Sequence, residues 1–332
     1  MDKNLHDLIE DLKYKKQTVL FLGSGVNFCP GKKLLWNDIL SEFLKSSLPL
    51  LNMSQEDIKE LQRRLNPNDK GSRDSSEFSM ESTVTVVKKL LGDDYVSLLQ
   101  NIIYLQASPK ILKEACEEYV KARHGAKETP FYSLFAVSEL ILRNDNIKAV
   151  VSYNYDNLLT QAIQQLQKKP DYFNSCDSGR LDASKFRPID VYSGWYDTPF
   201  DNTAFLIYHP HGYIQPPFEL KPDKRNKIVM TMEEFYENAR DVYSWQTATQ
   251  IHFLTHYMCI YIGASLSDMN MQRLLTYADI EYNNEAVYYI ARKGNAVRHL
   301  KEIFHTENHM KVVSTESYPI LYAELLNKKK YE

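Results

Sequence analysis

The stretch Thr18-Val-Leu-Phe-Leu-Gly-Ser-Gly-Val-Asn-Phe28 decides how the rest of the chain is read. Val19, Leu20, Phe21 and Leu22 form an unbroken apolar run, the pattern of a short strand covered on both faces, as in a parallel sheet. Gly23 and Gly25 bracket Ser24 at its end. Glycines at such a turn permit positive φ and let a second backbone or a ligand come close. A buried strand, a Gly-x-Gly turn and a following helix form a phosphate-binding device, with free N–H groups and the helix dipole facing an anion. The third glycine of Gly-x-Gly-x-x-Gly is missing, because Phe28 stands there. No acidic residue marks the end of a second strand about 20 residues on, either. A tight turn with no ligand is the competing reading at this point.

The 332 residues suffice for one large α/β domain or two smaller ones. A hydrophobic content of 43% and a charged content of 25% are ordinary for a globular protein. A formal net charge of -3 gives no reason to expect direct nucleic-acid binding through bulk electrostatics. Of the cysteines, Cys29, Cys116, Cys176 and Cys259, no two fall at metal-ligand spacing and the set is no disulfide framework. No metal is therefore expected, and a reducing, cytoplasmic setting is. The N-terminal residues lack the apolar core of a signal peptide, and no run approaches the roughly 18 apolar residues that span a bilayer, so no membrane association is expected.

Leu5, Leu8, Ile9 and Leu12 predict an opening amphipathic helix. Trp36, Ile39, Leu40, Phe43 and Leu44 predict a second, soon after the glycine turn. Ser54 with Asp57 resembles a capping box, and Asn66 to Ser79 reads as a polar surface loop. Helices follow around Val84–Leu91, Asp94–Leu105, Ile111–Arg123 and Tyr132–Arg143. Strands are expected at Ile147–Val151, Ala204–Tyr208, Ile228–Met230, Tyr257–Ile262, Ala286–Ile290 and Met310–Val313, with a short β-like piece at Asp190–Tyr192. Thr231 and Glu234 form a capping box for a helix carrying Phe235 and Tyr236, and Asp268 is placed to cap a helix over Gln272–Tyr277. Helices around Val297–Phe304 and Ile320–Leu326 complete the pattern. Strands alternating with helices predict an α/β fold, a Rossmann-like doubly wound parallel sheet. Its core is expected over about 1–40 and 146–332, with a helical subdomain inserted over about 41–145.

Four polar loops follow the carboxyl ends of predicted buried strands: Gly23–Asn27, Ser152–Asn157, His209–Tyr213 and Gly263–Asp268. Ligands of open α/β sheets bind there. Taken singly, Asn154 and Asp156 are helix-capping residues, His211 a loop histidine, and Ser265 and Asp268 turn and cap residues. Their joint order is harder to dismiss.

That order resembles a SIR2-like domain, the sirtuin-type NAD-binding fold, in the branch found in bacterial antiphage defence. Leu22-Gly23-Ser24-Gly25-Val26 resembles the family's Gly-Ala-Gly-Val/Ile-Ser loop, with Ser24 for Ala and Asn27 for Ser. Leu35-Trp36-Asn37-Asp38-Ile39-Leu40 resembles the Trp-containing start of the next helix. Ser152-Tyr153-Asn154-Tyr155-Asp156 resembles Thr-x-Asn-Tyr/Ile-Asp, His211-Gly212 the catalytic His-Gly, and Gly263-Ala264-Ser265-Leu266-Ser267-Asp268-Met269-Asn270 the Gly-x-Ser-x-x-Asp-x-Asn segment. The two Cys-x-x-Cys pairs of the deacylase zinc ribbon are absent from the sequence.

The resemblance implies a single domain that consumes NAD as a substrate, cutting the bond between nicotinamide and the ribose to give plain or cyclic ADP-ribose. It assigns Asn154 to the ribose and water, and His211 to general base, with His209 as the rival histidine. Gly23, Ser24 and Gly25 would supply backbone donors to the pyrophosphate, with Val26 and Asn27 also counted in the cofactor-binding loop, and Asp156 would hold the nicotinamide or support the loop. Gly263, Ser265 and Asp268 would line the adenosine half. It also implies a homo-oligomer, a co-encoded ATPase or nuclease-type partner or a phage trigger, and a role in abortive infection. An NAD-dependent protein deacylase and a non-catalytic NAD- or ADP-ribose-binding subunit are the alternatives.

Overall fold

Strand β1 (Thr18–Leu22) is buried at every residue, and the chain wraps around it. The computed structural model describes residues 3–14, 16–51, 53–54, 56–58, 80–122, 128–175, 186–193, 204–217, 228–241, 243–266, 269–282, 287–292 and 310–326. Around β1 lie β2 (Ile147–Ser152), β3 (Ile189–Tyr192), β4 (Phe205–Tyr208), β5 (Met258–Ile262), β6 (Val287–Arg292) and β7 (Met310–Thr315). They form a seven-stranded sheet in the order β3-β4-β2-β1-β5-β6-β7, and every neighbouring pair is parallel.

Alternation along β1 sends Leu20 and Leu22 to one face and Val19 and Phe21 to the other. On the first face pack α1 (Lys3–Lys13), α2 (Trp36–Ser47), α3 (Met80–Leu91), α4 (Asp94–Tyr104), α5 (Pro109–Ala122), α6 (Tyr132–Arg143) and α7 (Leu158–Gln167). The short α8 (Pro170–Ser175) follows α7, and α9 (Met232–Arg240) follows the β4 loop. On the second face pack α10 (Trp245–His256) and α11 (Met269–Tyr282), and α12 (Tyr318–Leu326) returns to the first. Helices on both faces of a parallel sheet make the doubly wound α/β fold that the sequence predicts. No helix among the described residues is long and apolar enough to cross a membrane.

Segment 228–230 departs from the prediction. It is not a strand. Val229 gives its N–H to the His211 carbonyl, while the N–H groups of Met230 and Thr231 go to the Glu234 carboxylate, so the segment joins no ladder. It is a strap laid across the β4 loop. The predicted loop over 66–79 and helix over 297–304 lie outside the described residues, as do Cys176 and Asp268.

A charged cluster sits inside the first layer. Glu139 of α6 is fully buried, at 0% exposure. One carboxylate oxygen accepts the hydroxyls of Tyr119 (2.8 Å) and Tyr172 (2.7 Å), and the other accepts Arg143 Nε. One carboxylate thus ties α5, α6 and α8. Glu139→Ala strands a buried guanidinium and two phenols, and is expected to destabilise the fold by about 3–5 kcal/mol. Glu139→Gln, which keeps an acceptor, is expected to cost less. Urea unfolding reads both, and an unchanged midpoint in the alanine variant would show that water reaches the cluster.

Candidate functional site

Strands β4, β2, β1 and β5 are neighbours, so the four loops picked out in the sequence stand side by side at one end of the sheet. The chain leaves β1 towards β2 and later returns on the other side as β5, which makes the β1/β5 boundary the topological switch point. There the two loops meet backbone to backbone. Gly23 N–H donates to the Ile262 carbonyl at 3.0 Å and Gly25 N–H to the Gly263 carbonyl at 2.8 Å. A Cβ on Gly23 would lie 2.6 Å from Ala264 Cα, one on Gly25 2.8 Å from Gly263 Cα, and one on Gly263 2.5 Å from Val26 N. Gly263 is also held at φ +67°, the left-handed region that favours glycine.

This seam corrects one expectation. Gly23 and Gly25 spend their N–H groups on β5 and, in this arrangement, offer neither to an anion. No α-helix starts at the glycine turn either: Ser24–Asn27 is a single 3-10 turn, and α2 begins at Trp36. Ser24 Oγ accepts the Trp36 N–H at 3.0 Å, satisfying a first-turn donor of α2 from outside the helix.

Beneath the seam lies a buried polar network. Asn27 Nδ2 donates to Asp156 Oδ2 at 2.8 Å, and Leu158 N–H donates to Asp156 Oδ1 at 3.0 Å. Among the described residues, Asn27 Oδ1 has no hydrogen-bond partner. Asn154 Nδ2 reaches the Gly23 carbonyl at 3.4 Å, and the Asn154 carbonyl accepts His209 Nδ1–H at 2.8 Å. A carbonyl acceptor fixes the Nδ1–H tautomer of His209. Asn27, Asn154, Asp156 and His209 are each at most 9% exposed. Burial pushes the Asp156 carboxyl up to about 6, against the pull of the Leu158 and Asn27 N–H groups. Burial pulls His209 down to about 4, with the bond to the Asn154 carbonyl opposing.

His211 lies apart from this network. Gly212, at φ +88°, turns the chain so that its N–H returns to the His209 carbonyl. The His211 ring stands 5.2 Å from that of Tyr153 and 5.1 Å, edge to face, from that of Phe235 on α9. It lines a narrow cleft with Tyr153, Asn238, Gln246, Gln250 and Arg273, with room for about one water. Tyr153 OH donates to Gln250 Oε1 at 2.6 Å.

The structure therefore joins Gly23, Asn27, Asn154 and Asp156 directly, with Gly25 and Gly263 in the seam above them. Val26 is buried beside them, and Ser265 lies exposed at the end of β5. Sequence reasoning missed the cleft residues on α9, α10 and α11. Thr247 and Gln250 carried a signal, as polar residues on the buried side of a helix. Among the described residues, no group of three or more His, Cys, Asp or Glu is placed to hold a metal ion.

Two tests follow from this geometry. Gly25→Ala and Gly263→Ala each force a methyl into backbone and are expected to lower stability by about 1–3 kcal/mol. Gly263→Ala should be the worse because it adds left-handed strain of about 1–2 kcal/mol. Thermal unfolding reads the difference, and wild-type stability in both would refute the seam. The second test uses pH. Between pH 3.8 and about 6 the folded state binds more protons at Asp156 than the unfolded state, so that contribution falls as pH rises. Between about 4 and 6.5 the unfolded state binds more at His209, so that contribution rises with pH. Relative to wild type, Asp156→Asn should gain stability as pH rises through its window, and His209→Asn as pH falls through the other. Each gain is about 3 kcal/mol across the full window. Parallel curves for variant and wild type would refute the assignment.

The family model of the SIR2-like domain matches residues 148–313, half of the 332-residue chain. No curated protein matches the chain. The matched span runs from β2 into β7 and holds Asn154, Asp156, His211 and Gly263, while the glycine turn after β1 precedes it. Binding of NAD goes with this family, and the function of the chain is NAD-related. The all-parallel sheet and the matched span agree: the chain belongs to the SIR2-like domain family.

Proposed function

We propose that the chain is an NAD+ glycohydrolase. The observation that supports this best is the division of labour between the two histidines after β4. His209 is buried, held off protonation and spent on the Asn154 carbonyl. His211 faces a cleft of water size. An imidazole in contact with solvent can take a proton near neutral pH, and one sealed against a carbonyl cannot.

The bond that breaks joins nicotinamide nitrogen to C1′ of the ribose. Nicotinamide leaves with the bonding pair and becomes neutral, so acid assistance is not required. The transition state carries positive charge on the ribose. Asn154, which holds both a donor and an acceptor, orients the ribose. Asp156 lies in the same buried network, and a carboxylate there favours a cationic neighbour. Water adds at C1′, and His211 accepts the proton that it sheds. A positioned base of this kind contributes about 10²–10⁴ in rate. The resemblance to antiphage SIR2-like proteins extends the proposal to NAD+ depletion during infection, in a cytoplasmic homo-oligomer activated by self-assembly, a co-encoded partner or a phage product.

Nicotinamide release from NAD+ by the purified chain, with and without its genomic neighbours, tests this reading. Release without any acyl-peptide is expected, which separates it from a deacylase. His211→Ala is expected to lower turnover about 10²–10⁴-fold, with Asn154→Ala also strongly impaired. Full turnover in both variants would refute the site. Tight NAD+ binding with no release under activating conditions would favour a binding-only subunit.

A further inference from the structure

His211 is held from behind by the strap 228–231 and by α9. Val229 N–H donates to the His211 carbonyl at 2.9 Å, Tyr155 OH donates to the Val229 carbonyl, and the Phe235 ring backs the imidazole. The strap is fastened at Glu234. One carboxylate oxygen accepts the N–H groups of Met230 and Thr231, both at 2.9 Å, while the Thr231 hydroxyl accepts the Glu234 N–H, closing a capping box. The other oxygen accepts Lys88 Nζ of α3 at 2.7 Å.

Lys88 touches the strap a second time. Its ammonium also donates to the Ile228 carbonyl at 3.0 Å and lies 4.3 Å from the centre of the Tyr95 ring. The Lys88 and Glu234 side chains are only 11% and 18% exposed, unlike the adjacent pair Lys89–Glu233 at 62% and 63%. An exposed pair contributes little, and a shielded pair with shared hydrogen bonds fixes geometry. Removing Lys88 leaves the capping box of α9 intact, because the oxygen that closes it is the other one. What is lost is a polar tie between α3 and the strap.

We propose that Lys88 is a positioning residue for His211. It carries the position of α3, a helix lying between β1 and β2 in the chain, to the imidazole through Glu234 and the strap. This rests on the reading of His211 as the base, and the test separates the two. Histidine-labelled protein is followed by NMR, with the His211 imidazole signal assigned from His211→Asn. Lys88→Met and Glu234→Gln are expected to move or broaden that signal while His209, in the buried network, stays put. Lys89→Met is expected to change neither. In turnover, Lys88→Met is expected to lower kcat about tenfold with KM for NAD+ within about twofold. An unmoved His211 signal in folded Lys88→Met overturns the proposal whatever the activity. A shifted signal in a chain whose His211→Ala variant keeps full turnover upholds the tether and overturns only the role of the base.

Discussion

Everything at the working end of this protein depends on two backbones being allowed to touch. Parallel strands lie a fixed distance apart, and loops leaving adjacent strands normally diverge to make room for their side chains. At the β1/β5 boundary they do not diverge, because Gly23, Gly25 and Gly263 present no side chains. The hydrogen bonds of the sheet then continue past its last ladder pair into the loops. The glycine turn becomes a rigid extension of the sheet, from which Asn27 reaches Asp156 and the Gly23 carbonyl meets Asn154.

That rigidity permits an otherwise costly arrangement. A carboxyl group and an imidazole are both buried here, and desolvation opposes the charged form of each. The two are not an ion pair: Asp156 turns to Asn27 and Leu158, and His209 to the Asn154 carbonyl. Each is satisfied by neutral partners that the seam and the β2 loop hold in place.

Much of this was legible in the sequence, for identifiable reasons. Continuous apolar runs revealed β1, β2 and β5, because strands covered on both faces have no polar side to confuse the pattern. The Thr231–Glu234 capping box is local chemistry and appears as read. The strap at 228–230 was misread because its apolar residues face the core without a ladder partner, and composition cannot tell the two apart. The polar residues at the strand ends were readable from their position in the sequence. Their pairings were not: Asn27 and Asp156 lie 129 positions apart, and Lys88 and Glu234 lie 146 apart. The glycines were noticed for the right property, closeness of approach, but what approaches is β5.

The strand order also sets when the protein can exist during synthesis. β1 is made well before its partners, β2, beginning at Ile147, and β5, beginning at Met258. Pairings so distant in sequence form slowly, after long loops have closed. A ribosome that has delivered the glycine turn, the asparagine loop and both histidines has still not delivered Gly263. Until it does, the turn has no backbone to lie against. A chain broken off short of β5 carries Asn154 and His211 but cannot form the seam between the glycine turn and Gly263.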